Sequence, residues 1–369
     1  MSEFSKQRAQ EALSNLQEEG IDAVILFPGP NIGYFTGFKI GPSERLTAAI
    51  IPQRGEPWFI VNKLEEELRG LKPWFNKKAV WQEHEDPIKL LVSTLKDSGL
   101  GSATIGIPDD APWVWVNAIK ALLPNSKFVD ASISLGYTRM VKTAQELEWM
   151  RKACWIADKA LENGFSKMKT GMTEQELSAT ILTEINSLGG GQTFIGVLFG
   201  ENAALPHGGP AERRLKPGDC VLVDMGCTFN GYWSDLTRTV FYGEPNERHR
   251  IIYETVLEAN QAAFKTIKPG VTCESIDYAA RKVIENAGYG EYFIHRLGHG
   301  IGIQIHEHPY IVRNNKMKIA SGMTFSDEPG IYIVGEVGVR VEDTVVCTET
   351  GAETLTNLKR TLTVYPVRD

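Results

Sequence analysis

Short apolar runs alternate with longer polar stretches through the first third of the chain. A polar helix is predicted near residues 5–19, leading into the strand-like Ala23-Val24-Ile25-Leu26-Phe27, which Pro28-Gly29-Pro30 closes. Further apolar runs at 46–51, 58–61, 103–107 and 127–129 are separated by helix-like stretches around 86–98 and 112–123. That alternation predicts an α/β domain with a central sheet. Tyr34-Phe35-Thr36-Gly37 and Trp74, Trp113 and Trp115 read there as core or interface packing rather than as a site. From about residue 140 the pattern lengthens. Thr143-x-x-Glu146 and Thr173-x-x-Glu176 match the capping box, in which threonine accepts from the third backbone N–H and glutamate reaches back, and they predict helices near 143–166 and 173–188. The change of texture lies between 130 and 142, and the domains are set at 1–135 and 136–369.

Aligning the acidic segments of the second domain on their glycines exposes an internal repeat. Gly218 precedes Asp224 by six positions, as Gly322 precedes Glu328, and acid-x-glycine follows in both copies. A second acid comes after eleven residues in one copy (Asp235) and fourteen in the other (Glu342), with Thr237 and Thr344 two positions beyond. Helical segments near 173–188 and 273–287 precede the two acid pairs, so the repeat predicts a duplicated unit of helices plus a β-hairpin. Asn230-Gly231 is a type I′ turn signal between Asp224 and Asp235, and Gly335 lies midway between Glu328 and Glu342. Each hairpin would therefore project two carboxylates. Any one acid alone reads as an ordinary strand-edge charge. Four converging on one place would repel and protonate unless a cation neutralised them, and two divalent ions balance four negative charges.

The histidines add to this picture. His299 lies in Gly298-His299-Gly300-Ile301-Gly302, with His295 before it, His306 and His308 after it, and His207 apart. The five cysteines are widely spaced with no C-x-x-C pair, so they read as reduced thiols, and a metal would have to be held by oxygen and imidazole. A formal charge of −7 without a basic stripe argues against nucleic acid, and no apolar run approaches a membrane span. The polar opening segment lacks the apolar stretch of a signal peptide, and a cytoplasmic protein is the expectation.

Taken together, Ala204-Leu205-Pro206-His207-Gly208, Asp224-x-Gly226, Ser234-Asp235-x-Thr237-Arg238, Gly298-His299-Gly300-x-Gly302, His306-Glu307-x-Pro309, Glu328-Pro329-Gly330 and Arg340-Val341-Glu342-Asp343 resemble the pita-bread metallopeptidases. That family includes methionine aminopeptidase, aminopeptidase P, prolidase and the metal-free creatinase. The resemblance implies an α/β N-terminal domain followed by an α+β pita-bread domain of two related halves around a dinuclear centre. It implies Asp224, Asp235, His299, Glu328 and Glu342 as ligands of two divalent ions, manganese or cobalt ahead of zinc or iron. Glu328 would also be the general base, His207 or His306 would stabilise the oxyanion together with a metal, and His295 and Arg340 would bind substrate. For Arg340 a structural salt bridge to a neighbouring acid is the alternative. An N-terminal domain of this size resembles prolidase, aminopeptidase P and creatinase, and retention of the ligand set separates the chain from creatinase. The implied activity is hydrolysis of the Xaa-Pro bond of short proline-containing peptides by a bridging metal hydroxide, as in a prolidase and with a homodimer expected. An aminopeptidase P, a creatinase-like C–N hydrolase and a non-catalytic binding module are the alternatives. Two departures stand out: Gly200-Glu201-Asn202 before the first histidine motif, and Ser326-Asp327 where the family often has Thr-Ile.

Overall fold

The computed structural model describes residues 2–68, 73–206 and 208–369. Two compact units result, Met1–Arg139 and Met140–Asp369. In the first, strands β1 (Ala23–Leu26), β2 (Ala48–Pro52), β3 (Trp58–Asn62), β4 (Lys77–Trp81), β5 (Thr104–Ile107) and β6 (Lys127–Asp130) form one sheet in the order β4-β3-β2-β1-β5-β6. The β1–β2 and β2–β3 pairs are antiparallel and the remaining pairs parallel. Every residue of β1 is buried, as its unbroken apolar run requires of a strand covered on both faces. Helix Pro87–Asp97 starts where the Asp86 side chain accepts from the N–H groups of Ile88 and Lys89. Pro30 also opens a helix, Pro30–Thr36, which buries Tyr34 and Phe35; a proline at the first helical position costs no intrahelical bond. Trp113 does not join the core: it is 72% exposed on a helix, Trp113–Leu122, that buries only Val116 and Ile119.

Both copies of the repeat are present in the second unit. Helices Ala144–Ser166 and Glu174–Ser187 begin the first copy, each with a complete capping box, and Glu247–Thr266 and Cys273–Asn286 begin the second. The second helix of each pair follows a threonine N-cap whose backbone bridges to a later segment, Thr173 to Arg214 and Thr272 to Lys318. Strands β7 (Thr193–Phe199), β8 (Asp219–Phe229), β9 (Tyr232–Trp233) and β10 (Leu236–Tyr242) carry the first hairpin. Strands β11 (Gly298–Gly300), β12 (Glu307–Ile311), β13 (Thr324–Asp327), β14 (Gly330–Ile333), β15 (Val337–Arg340), β16 (Asp343–Cys347) and β17 (Ala352–Thr354) carry the second, and β18 (Val364–Tyr365) returns to β10. Their sheets run β18-β10-β8-β7, with β9 on β8, and β12-β11-β13-β16-β17, while β14 and β15 pair alone.

The two hairpins interlock through reciprocal bonds. Glu342 N–H donates to the Thr237 carbonyl at 3.1 Å, the Thr344 hydroxyl donates to the Asp235 carbonyl at 2.8 Å, and the Thr239 hydroxyl donates to the Arg340 carbonyl at 3.0 Å. The helices pack their apolar faces outside this seam, Val256, Ala259 and Ile276 against Phe325 and Val339 on one side and Ile156, Leu161 and Ile181 against Val221 and Val223 on the other. Polar side chains are thereby concentrated at the seam and apolar ones behind it. Among the described residues no helix is long and apolar enough to cross a membrane.

Candidate metal centre

Two hairpin registers place the acids. In the first, Asn230 and Gly231 take φ of 51° and 84°, the left-handed pair a type I′ turn requires, and the register that follows sets Asp224 opposite Thr237. Asp235 lies two residues before Thr237 on the same strand line, hence on the same face. In the second, the register runs from Asp327↔Asp343 to Gly330↔Arg340, so Glu328 and Glu342 stand opposite each other. His299 arrives on β11, squeezed between β12 and β13: a Cβ on Gly298 would lie 1.9 Å from the Ser326 carbonyl oxygen, and one on Gly300 would lie 2.1 Å from that of His308. The glycines flanking His299 are there for this close approach.

The imidazole is oriented for ligation. His299 Nδ1 faces the Gly300 carbonyl at 3.1 Å and must carry the proton there, which leaves Nε2 directed at the acids, 3.2 Å from Glu328 Oε1 and 3.5 Å from Asp235 Oδ2. Ligand atoms of Asp235, His299 and Glu342 all lie within 4.8 Å of one another. Thr237 donates its hydroxyl to Glu342 Oε2 and accepts from Arg340 Nε at 2.9 Å, and Ser326 donates to Glu328 Oε1 at 3.0 Å.

Electrostatics sharpen the reading. Burial, then the neighbouring carboxylates, pushes Asp235 and Glu342 well above the usual carboxylate range, and burial raises Asp224 against the pull of Arg340. Glu328 goes the other way: burial pushes it up, but the hydrogen bond and charge of His299 outweigh this and bring it to about 2. For His299, burial acts to lower the pKa, and the Glu328 and Asp235 carboxylates raise it overall. A buried cluster of oxygen donors whose own charges keep several of them protonated, with one imidazole lone pair aimed among them, suits divalent cations with O/N preference. The residues present fit the metal that such a centre requires.

A cleft of about 570 Å³ opens onto these groups and is lined in addition by Phe194, Pro206, Ile305, Arg296, His295 and His306. His306 is exposed in it, its ring edge-on to His299 with centroids 4.2 Å apart. His207 lies outside the described residues, so its expected place is not assessed. His295 lines the cleft with both nitrogens engaged, Nδ1 with the Arg296 carbonyl at 2.7 Å and Nε2 with Tyr332 Oη at 2.9 Å, and burial lowers its pKa. Arg340 also lines the cleft, and its guanidinium is bonded to Asp224 Oδ2 at 2.6 Å, Tyr332 Oη at 2.8 Å and Thr237. Asp224, Arg340, Tyr332 and His295 thus form one continuous chain of hydrogen bonds.

The sequence marks Thr237 through the repeat and the Ser234-Asp235-x-Thr237-Arg238 motif, with no role of its own, and Ser326 only as a departure from the family pattern; both bond directly to carboxylates of the candidate ligand set. Thr237 had a usable signal, its fixed offset from the second acid in both copies. Phe194, Ile305 and Arg296 carried none. Asp327, the other half of the departure, is buried with neither carboxyl oxygen hydrogen-bonded, and burial raises its pKa well above the usual range.

Comparison with known proteins finds relatives along the whole chain. Residues 148–349 match the model of Metallopeptidase family M24, and residues 8–141 match the Creatinase/Prolidase N-terminal domain. An Xaa-Pro dipeptidase of Lactobacillus helveticus is 37% identical over 359 residues, covering 96% of this chain and 98% of the relative. Among solved structures, the dipeptidase PepE of Mycobacterium ulcerans superposes with a TM-score of 0.92 at 34% identity, covering 99% of both chains. The prolidase of Thermococcus sibiricus gives 0.89 at 34% identity, covering 98% of this chain and 99% of that one.

Proposed function

The chain belongs to metallopeptidase family M24, with a creatinase/prolidase-type N-terminal domain, and from that membership we propose that it is a metal-dependent dipeptidase cleaving the Xaa-Pro bond of proline-containing dipeptides. The observation that carries the reading is the intact donor set at the floor of a cleft, in a chain alike from end to end to an Xaa-Pro dipeptidase and to a solved prolidase.

Asp224, Asp235, His299, Glu328 and Glu342 would hold two divalent ions, with manganese or cobalt ahead of zinc or iron because four of the five donors are carboxylates. When bound, such a pair supplies Lewis acidity, lowering the pKa of a water and polarising the scissile carbonyl. Glu328, facing His299 and oriented by Ser326, would accept the proton of the attacking water and return it to the departing proline nitrogen. His306, exposed in the cleft beside His299, donates to the carbonyl oxygen as it gains charge, a role His207 would share. His295 shapes the substrate pocket as a neutral ring, held by Tyr332. Arg340 orients Asp224 through their 2.6 Å bond, which ranks this role ahead of binding the substrate carboxylate. The five cysteines are all buried and unpaired, which supports the cytoplasm as the site of action.

The test compares an Xaa-Pro dipeptide with an Xaa-Pro-Yaa tripeptide in Mn²⁺. Cleavage of the dipeptide alone is expected; tripeptide cleavage would make the chain an aminopeptidase P, and cleavage of neither would leave a binding module. Chelation should abolish the activity and added Mn²⁺ or Co²⁺ restore it, whereas full activity in EDTA would point to creatinase-like chemistry.

A further inference from the structure

A buried ion pair outside the ligand set stands at the base of the loop that presents His306. Lys142 Nζ and Glu307 Oε1 are 2.8 Å apart, with side chains 1% and 6% exposed. Glu307 opens β12 opposite Gly300 of β11, so residues 301–306 form the connection between the two strands and His306 is its last residue. Lys142 is fixed from the other side. Its N–H donates to the Gly322 carbonyl at 2.9 Å and Val141 bridges Met323, just before β13, the strand that carries Ser326 and leads into Glu328. The near end of the loop is pinned as well: the Thr324 hydroxyl donates to the Ile301 carbonyl at 2.6 Å, and Trp233 N–H donates to that of Gly302 at 2.8 Å. The ion pair passes directly under Gly302, where a Cβ would come within 2.6 Å of Glu307 Oε1 and 2.9 Å of Lys142 Cε.

Desolvating two charges is expensive, and apolar replacements of buried ion pairs are commonly neutral or stabilising. Stability is therefore a poor account of this pair. What a charged hydrogen bond supplies and an apolar contact lacks is a single register, and misplacing a catalytic group by about 1 Å can cost on the order of a hundredfold. We propose that Lys142 and Glu307 are positioning residues that lock the 301–306 loop to the strand leading into Glu328, so that His306 is held at the reacting carbonyl; the proposal rests on the peptidase reading above.

The test is a double-mutant cycle on the metal-loaded, full-length enzyme. Glu307→Gln and the uncharged pair K142M/E307L should each lower kcat on an Xaa-Pro dipeptide by about tenfold or more, with KM and Mn²⁺ affinity within about threefold. Combined with His306→Ala they should add no further loss. In spectra of histidine-labelled protein loaded with diamagnetic Zn²⁺ in place of Mn²⁺, the His306 ring signal should be single in the wild type and broadened or multiple in both variants. An equal kcat loss in the His306→Ala background, an unchanged kcat in K142M/E307L, or failure of both variants to fold would overturn the proposal. If the wild type cleaves no Xaa-Pro peptide, the peptidase reading falls, while the His306 signal still decides whether the pair places the loop.

Discussion

The first acid hairpin keeps one unbroken strand, β8, through Asp224 and lapses only on its return strand, at Ser234 and Asp235, whereas the second lapses on both strands, at Glu328 and Glu342, and is divided between two sheets there. The division has a chemical cause. Pro329 has no N–H to give to a ladder, and Glu328 N–H donates to the Leu297 carbonyl at 2.9 Å instead of across the hairpin. Asp224 stays in the continuous β8 ladder, and Asp235, in the gap between β9 and β10, gives its N–H to the Thr344 hydroxyl at 3.1 Å; both are raised in pKa by burial, while Glu328 leaves the ladder, meets His299 and Ser326, and falls to about 2. Three of the four acids, Asp224, Asp235 and Glu342, are thus raised by burial, and Glu328 alone, placed against His299 where the second hairpin lapses, is lowered.

Substitutions can break that contrast. The largest effect is expected for Asp235→Asn, which should abolish Mn²⁺ binding in calorimetry and lower kcat/KM on the order of a thousandfold or more, because the Lewis acid leaves with the ligand. Glu328→Gln should lower kcat by more than about a hundredfold while part of the metal binding survives, as expected for a proton carrier. If the two variants lost metal and activity in the same proportion, the division of labour between Asp235 and Glu328 would be wrong. Thr237→Val removes a hydroxyl bonded to Glu342 and Arg340 at once and should cost roughly 10–100-fold in metal affinity or activity, read by metal titration.

The smallest effect concerns the seam. Asp158 accepts from the N–H groups of Asn357 and Leu358, the segment whose carbonyls also receive Arg238 of the first hairpin, and Arg238 in turn binds Asp343 of the second. Burial, only partly offset by those two bonds, raises Asp158 to about 6 from an ordinary 3.8. Its native carboxyl keeps a proton that the unfolded chain has already lost, so this group's contribution to stability falls as pH rises from about 4 to about 6. Asp158→Asn cannot titrate. Its stability relative to the wild type, measured by urea denaturation, should improve by roughly 2 kcal/mol between pH 4 and pH 7, with little change in activity.

Legibility followed the range of the interaction. The helices Ala144–Ser166 and Glu174–Ser187 were readable because a capping box spans four residues, and the first hairpin because Asn230-Gly231 dictates its own turn. Helix Glu247–Thr266 went unread although Asn246 caps it, accepting from His249 N–H, because no capping box or strand contrast marked its start. Strand β4 was missed for a related reason: Lys77 and Lys78 break its apolar pattern at the edge of the sheet. In the site, glycine spacing and turn signals brought out the four acids, and the family resemblance added His299 as their candidate companion, yet the bonds that set their electrostatics join residues about a hundred positions apart, Thr237 to Glu342 and Asp224 to Arg340.

By itself, then, the sequence determined which acids and histidines are the candidate donors and how each pair of acids faces across its own turn, since hairpin register is settled by a few local dihedrals. Only the tertiary structure decided that Arg340 is bound to Asp224, that His299 points its free nitrogen at Glu328, and that a buried Lys142–Glu307 pair underlies the His306 loop. Those outcomes depend on closing the two halves face to face, where burial and neighbouring charge, rather than any residue's own preference, set the protonation and aim of each group.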